Sequence, residues 1–248
     1  MHETMGRLLA AGNVAELFEW DGRALKLYRS PAAKRAAFRE AAIHAAVEAL
    51  GLPVPAVWGV RQIGERWGIL FDRVDEPSFA EWMRADPSHV PRYLESLARL
   101  HVRLHAHAAP RFGSLKLRLS NDIASTTLLD EPRRRRRLLC RLADMPEGDR
   151  LCHGDFHPMN VLGEAAQPIV IDWPDAARGD PAADICRSWL LMKLHGGDLA
   201  DPYLDAYCRA SGMPRETVLG WLPFIAAARL AEHVAGEVDR LLKLVRAS

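Results

Sequence analysis

Cysteine is scarce in this chain. Four occur in 248 residues, Cys140, Cys152, Cys186 and Cys208, with no short-range pairing and no metal-ligand spacing. That argues against a disulfide scaffold and a cysteine-bound metal, and predicts reduced thiols in a cytoplasmic protein. Long apolar runs are absent: no stretch approaches the roughly 18 uninterrupted apolar residues of a spanning helix. Met1 to Asn13 lacks the basic start and apolar run of a secretory leader. Net charge is also missing, 33 Lys and Arg against 32 Asp and Glu giving +1, so nothing general predicts nucleic acid or an anionic membrane as partner. What remains is 49% hydrophobic and 26% charged, enough for a sizeable core in one large domain or two lobes.

The richest chemistry lies between Leu151 and Trp173. Three polar side chains, Asp155, Asn160 and Asp172, interrupt apolar flanks there. Val161-Leu162 and Ile169 to Ile171 read as short strands joined by a turn from Gly163 to Pro168. Such a hairpin carries Asn160 at its entry and Asp172 at its exit, and antiparallel pairing brings both to the same end. Two carboxylates and an amide oxygen at one edge suit a hard cation such as Mg²⁺. Phosphoryl transfer needs the same set: one Asp orients the attacking hydroxyl, while an Asn and a second Asp hold metal on the nucleotide phosphates.

His153-Gly154-Asp155, then four residues and Asn160, has the spacing of the protein-kinase catalytic loop. The His-Gly-Asp form, His157-Pro158 within it and Ile171-Asp172-Trp173 after it resemble the aminoglycoside phosphotransferase and choline kinase family, a small-molecule branch of the kinase-like fold. The resemblance covers most of the chain. It implies a two-lobed α+β protein-kinase-like fold, with a nucleotide-binding sheet lobe in residues 1–73 and a larger helical catalytic and acceptor-binding lobe in 74–248. It further implies ATP or GTP with Mg²⁺ as cofactors, Asp155 as the catalytic group and Asn160 and Asp172 on the metal. Gly179-Asp180-Pro181 and Asp184 also match the family pattern, where the last Asp braces the catalytic loop by hydrogen bonds. Only eleven residues separate Asp172 from Asp184, too few for a phosphorylatable activation loop, and Gly154 stands where protein kinases carry Arg. Both departures point to a small acceptor.

The first third supplies the nucleotide side of this expectation. Val14 to Trp20 and Arg23 to Arg29 read as strands joined by Asp21-Gly22, a two-residue hairpin turn. Before them, Gly12-Asn13 is a candidate phosphate-binding turn in a glycine-poor stretch. Ser30-Pro31 opens a helix to about Leu50, whose expected apolar ridge is Phe38, Ala42, Ala46 and Leu50, widened by Ile43 and Val47. Glu40 lies at the edge of that ridge and needs a partner if buried; Lys26, off the second strand, is the natural one. In the kinase pattern such a pair sets the Lys on the phosphates. Two more strands, Ala56 to Gln62 and Trp67 to Asp72, lead into a segment that the resemblance makes the base pocket, with Phe71, Arg73 and Val74 lining it.

From Ser78 onward the pattern is helical: a short helix to Arg84, then Pro91 to His107, a helix through Arg133 to Ala143, and the stretches 185–195, 202–210, 214–229 and 230–245. His101, His105 and His107 crowd one helix end with no third ligand in view, and read as dipole-end histidines rather than a zinc site. Arg133 to Arg137 reads as a solvated face pairing with Asp130, Glu131 and Asp144; RNA binding is the alternative it carries. For the acceptor, acids (Asp198, Asp201, Asp205, Glu232) would suit an amino sugar. Aromatics (Trp173, Trp189, Tyr203, Tyr207, Trp221, Phe224) would suit a quaternary ammonium. The function expected is transfer of a γ-phosphoryl group to a hydroxyl of a small molecule. Choline-, ethanolamine- or homoserine-type kinases and a nucleotide-binding module without turnover are the alternatives, and acceptor and oligomeric state stay open.

Overall fold

The computed structural model describes residues 5–129, 131–195 and 197–246. Its contacts divide the chain into two compact units: Met1–Trp82 with Met159–Pro174, and Met83–Pro158 with Asp175–Ser248. The boundary expected after Arg73 thus falls inside the first unit, and the hairpin expected in the helical part packs with the sheet. Backbone pairing shows why. Gly163 N–H donates to Pro77 O at 2.9 Å and Val170 N–H to Pro53 O at 2.8 Å, and Ser78 forms a β-bridge with Leu162.

The first unit is a five-stranded antiparallel sheet: β1 Met5–Ala11, β2 Ala15–Trp20, β3 Arg23–Tyr28, β4 Val57–Ile63 and β5 Arg66–Asp72, in the order β1-β2-β3-β5-β4. Asp21 and Gly22 take φ of 46° and 75°, as an Asp-Gly turn matched to strand twist requires. Alternation along β3 divides its side chains between two faces. Leu25 and Leu27 pack with Trp20 and Leu70, whereas Tyr28 packs with Ile69 and Ala37 of α1, Lys34–Glu48. Ser30 Oγ accepts from Ala32 N–H at 3.3 Å at the short 3-10 turn Pro31–Ala33 that leads into this helix.

Helix α1 is turned differently from the expectation. Its buried face is Ala37, Glu40, His44 and Val47, while Phe38, counted on for the ridge, is 51% exposed and packs its ring against Trp67 at 5.7 Å. Val47, expected to widen the ridge, is buried, but the rest of the ridge lies to one side of the buried face, because that face carries two polar groups, each with a partner inside the unit.

The second unit is helical. After α2, Phe79–Ala85, within which the division between the units falls, come α3 Val90–His105, α4 Leu115–Ser125, α5 Pro132–Asp144, α6 Pro181–His195 and α7 Ala200–Ser211. Then follow α8 Arg215–Leu219, α9 Leu222–Arg229 and α10 Val238–Arg246. Two expected helices are therefore shorter: 214–229 breaks into two, and 230–245 gives a 3-10 turn, a left-handed His233 with φ 52°, and only then α10. Helix α4 and the paired strands Arg150–Cys152 and Ala177–Gly179 were not expected. Ser114 opens α4 by accepting from Leu117 N–H at 3.1 Å, and Leu115, Leu119 and Ile123 form its buried stripe.

Gly22 holds a left-handed conformation, so Gly22→Ala should lower stability by about 1 kcal/mol, read as a lower urea midpoint at unchanged slope.

Candidate active site

In the first unit, β3, α1 and the hairpin place their polar groups on one cavity of about 240 Å³. Ala15, Leu17, Ala24, Phe71, Leu162 and Ile171 make its apolar lining; Lys26, Glu40, Asn160 and Asp172 are among its polar groups. Arg73 and Val74 line it too, so every expected nucleotide-side and metal-side residue borders the same space. The arginine side chain itself is tied to Glu19 at 2.8 Å and Asp75 at 2.6 Å.

Lys26 is the centre of this cavity's charge. Its Nζ donates to Glu40 Oε1 at 2.8 Å, the expected partner, and also to Asp172 Oδ1 at 2.7 Å. Burial works to lower the lysine pKa, but Asp172 and Glu40 outweigh it and hold it above the ordinary value. The two acids are unlike. The Glu40 side chain is 4% exposed and also accepts from the Tyr28 hydroxyl, whereas that of Asp172 is 39% exposed. Water can replace Lys26 at Asp172 but not at Glu40.

The hairpin forms as expected, with Val161 opposite Val170 and Leu162 opposite Ile169. Ile171 N–H donates to Asn160 O at 3.0 Å, which brings the chain just before Asp172 level with Asn160. Asp172 is one of three non-glycine residues with positive φ among the described residues, at 64°. Asp tolerates that region better than most side chains, and a residue held there is a recurrent mark of functional sites. Behind it the Trp173 ring is fully buried, its Nε1 donating to Val170 O at 3.2 Å.

Gly12 also borders the cavity, in a turn held without further glycines. Its N–H donates to Ala15 O at 2.9 Å, and its carbonyl accepts from Arg29 Nε at 3.0 Å. Arg29 and Arg66 both hold Glu16, at 2.9 and 2.7 Å. His44 is buried on the cavity wall, its ring 4.8 Å from that of Phe71. Burial lowers its pKa, so it is neutral at pH 7, and Nε2 carries the proton donated to Pro55 O at 2.6 Å.

Asp155 lies in the second unit. His157 Nε2 is 3.4 Å from its Oδ2, and Arg187 Nη2 is 4.0 Å from its Oδ1. Burial pushes the carboxyl up, but the bond and charge of His157 and the charge of Arg187 outweigh it and bring the pKa to about 2. The group is therefore an anion at neutral pH. Arg187 also donates through Nε to Gly154 O and through Nη1 to Glu232 Oε1 at 2.8 Å, so one guanidinium fixes the loop backbone and faces the acid beside it. Gly154 has φ 84°, and a Cβ there would lie 2.5 Å from Asp175 O. That is why the kinase arginine has no counterpart at this position.

Asp184 holds this loop from within. Its Oδ2 accepts from His153 N–H at 2.7 Å and its Oδ1 from Gly154 N–H at 2.8 Å, the brace expected of it. The same Oδ2 accepts from His101 Nε2 at 2.9 Å and His105 Nε2 at 3.2 Å. The far nitrogens of those rings meet the hydroxyls of Tyr203 at 2.7 Å and Tyr207 at 2.8 Å. The His101 imidazole, which burial keeps neutral, is thus a donor on one side and an acceptor on the other. Burial, and secondarily His105, lowers the pKa of His101 to about 3. Asp184 sits well below the carboxylate range: burial opposes this, and the bonds from His101 and His105 overcome it. His105 does stand in the last turn of α3, but both histidines serve as an interior clamp on a distant acid, and Asp184 is the third group the sequence did not bring near them.

The residues expected to face an acceptor are largely engaged elsewhere. Asp201 accepts from Lys193 at 2.6 Å and from Trp189 at 3.1 Å and is paired with Arg215, which also reaches Asp205 at 2.7 Å; Glu232 is paired with Arg187 and Arg229. All six aromatics are at most 8% exposed. The arginine run is partly structural: Arg135 donates to Thr126 O at 2.7 Å and Leu129 O at 2.5 Å, and Arg134 meets Glu131 at 3.4 Å. The expected partner Asp130 lies outside the described residues. Tyr28, His101, His105, Arg187 and His44 were missed as functional supports. Tyr28 had a signal, lying two residues from Lys26 on the same strand face, and so did His101 and His105, one helical turn apart.

Comparison with known proteins gives a consistent answer. The family described as "Phosphotransferase enzyme family" matches residues 15–219. No curated protein matches the chain. Among solved structures, a thermostable variant of aminoglycoside phosphotransferase APH(4)-Ia with ADP and hygromycin B aligns at 17% identity and TM-score 0.73, covering 99% of this chain and 94% of that one. APH(3'')-Id from Streptomyces rimosus ATCC10970 with ADP and streptomycin aligns at 19% identity and TM-score 0.64, covering 87% and 90%. An aminoglycoside-3'-phosphotransferase of type VIII aligns at 24% identity and TM-score 0.58, covering 93% and 92%. At these identities the likeness shows a shared kinase-like α+β fold.

The His101 clamp makes stability sensitive to acid. With a folded pKa near 3 and an unfolded value of 6.5, the unfolded chain binds the extra proton between them, so stability is full above pH 6.5 and falls as pH drops. This group alone should remove about 2 kcal/mol between pH 6.5 and 5, measured by urea unfolding. In His101→Gln, which cannot titrate, that part of the slope should vanish.

Proposed function

The chain belongs to the phosphotransferase enzyme family, and from that premise we propose that it transfers the γ-phosphoryl group of a nucleoside triphosphate to a hydroxyl of a small molecule. One observation carries the reading: a lysine ammonium held between Glu40 and Asp172 on a cavity that Asn160 also lines. The apolar lining accepts a flat base, with Phe71 on its wall and the Arg73–Val74 backbone offering the polar edge. Lys26 then answers the phosphate charge.

The hard oxygens of Asn160 and Asp172 suit Mg²⁺ and would hold it. Bound there, the ion would neutralise charge on the phosphates. Asp155, kept anionic by His157 and Arg187, orients the acceptor hydroxyl and takes its proton late. The work is positioning and electrostatics, since the transferring phosphoryl group asks little covalent chemistry of the protein. The neighbours bound to ADP with hygromycin B or streptomycin make amino sugars the first acceptor class to test.

A screen of Mg-ATP consumption over amino sugars, amino alcohols and hydroxy amino acids tests the proposal. Tight Mg-nucleotide binding with no turnover on any hydroxyl compound would favour a binding module instead. Asp155→Ala should reduce turnover by about 10³-fold while keeping Mg-nucleotide affinity. Asp172→Ala should weaken Mg-dependent nucleotide binding at least about tenfold, roughly 1.4 kcal/mol. Wild-type affinity in that variant would count against the metal assignment.

A further inference from the structure

Lys26 has two acidic partners and cannot keep both during the proposed reaction. Asp172 must be released to ligate metal, and the ammonium must reach phosphate while still being held in place. What decides which acid lets go is visible around Glu40. Tyr28 lies two residues beyond Lys26 on β3, so the two side chains share a sheet face, and both address the same carboxylate. Lys26 takes Oε1; the Tyr28 hydroxyl donates to Oε2. Tyr28 is 5% exposed, and its own carbonyl is fixed by Arg66 Nε at 2.7 Å. Asp172 has no such second hold among the described residues: Lys26 alone bonds its carboxylate, which is 39% exposed two residues past the end of a two-residue strand.

We propose that Tyr28 is a positioning residue for nucleotide binding, its hydroxyl fixing Glu40 so that Lys26 gives up Asp172 and keeps Glu40 when phosphates arrive. This rests on the reading of Lys26 as the phosphate-binding lysine. Burial, then the charge of Glu40, raises the phenol pKa, so the hydroxyl stays a donor throughout the working range. Without it, Glu40 Oε2 has no donor among the described residues, the carboxylate turns to recover one, and the ammonium loses its fixed position.

A double-mutant cycle on the full chain tests this, with Mg-ADP dissociation constants from titration calorimetry. Tyr28→Phe should weaken Mg-ADP about five- to tenfold and leave the acceptor KM unchanged; in a Glu40→Gln background the same change should do nothing. Wild-type affinity in Tyr28→Phe, or effects that simply multiply, would overturn the proposal, the second by showing that the ring acts through packing. Tyr28→Leu and Tyr28→Gln guard against a folding defect. Both remove the ring and only Gln keeps a donor, so Gln should bind Mg-ADP more tightly, and equal binding would refute the role. A wild-type chain that does not bind Mg-ADP would instead bring down the proposed function itself.

Discussion

A carboxylate taken out of water must have its lone pairs filled, and this one constraint shapes both units. Glu40 in the first and Asp184 in the second are at most 4% exposed. An isolated buried anion costs several kcal/mol, far more than any surface pair returns. Each is therefore met by donors from separate parts of the chain. Lys26 and Tyr28 come to Glu40 from β3. The backbone of 153–154 and two histidines of α3 come to Asp184. Filling those lone pairs sets α1 against the sheet in one case, and the loop carrying Asp155 against α3 and α6 in the other.

The same requirement explains what could be read from the sequence. The catalytic-loop spacing, the hairpin and the Lys26–Glu40 pair were legible because each is a short-range pattern or a single complementary charge. The buried face of α1 was not, because hydrophobic spacing is blind to a polar group made comfortable by a partner elsewhere. Glu40 and His44 are inside for that reason, and Phe38 is half outside. His101 and His105 stood out at helical spacing, but the acid that accounts for them lies about 80 residues on. Strand pairs of three residues, such as Arg150–Cys152 with Ala177–Gly179, leave almost no periodicity to read.

The acceptor side shows the limit of counting residue types. Acids and aromatics in the last third suggested two kinds of acceptor. Asp201, Asp205 and Glu232 lie in ion pairs with Lys or Arg, and the aromatics fill the interior. A list of charges becomes informative only once each has been matched to its neighbours.

The cavity-bearing unit is not a continuous length of chain: residues 159–174 complete what residues 5–82 begin. A gene fragment that stops at the end of the sheet would encode Lys26 and Glu40 without Asn160 and Asp172. Such a unit cannot be traded between proteins as a simple module. It travels in heredity only together with the helical stretch its own chain passes through, which ties the histories of the two parts to one another.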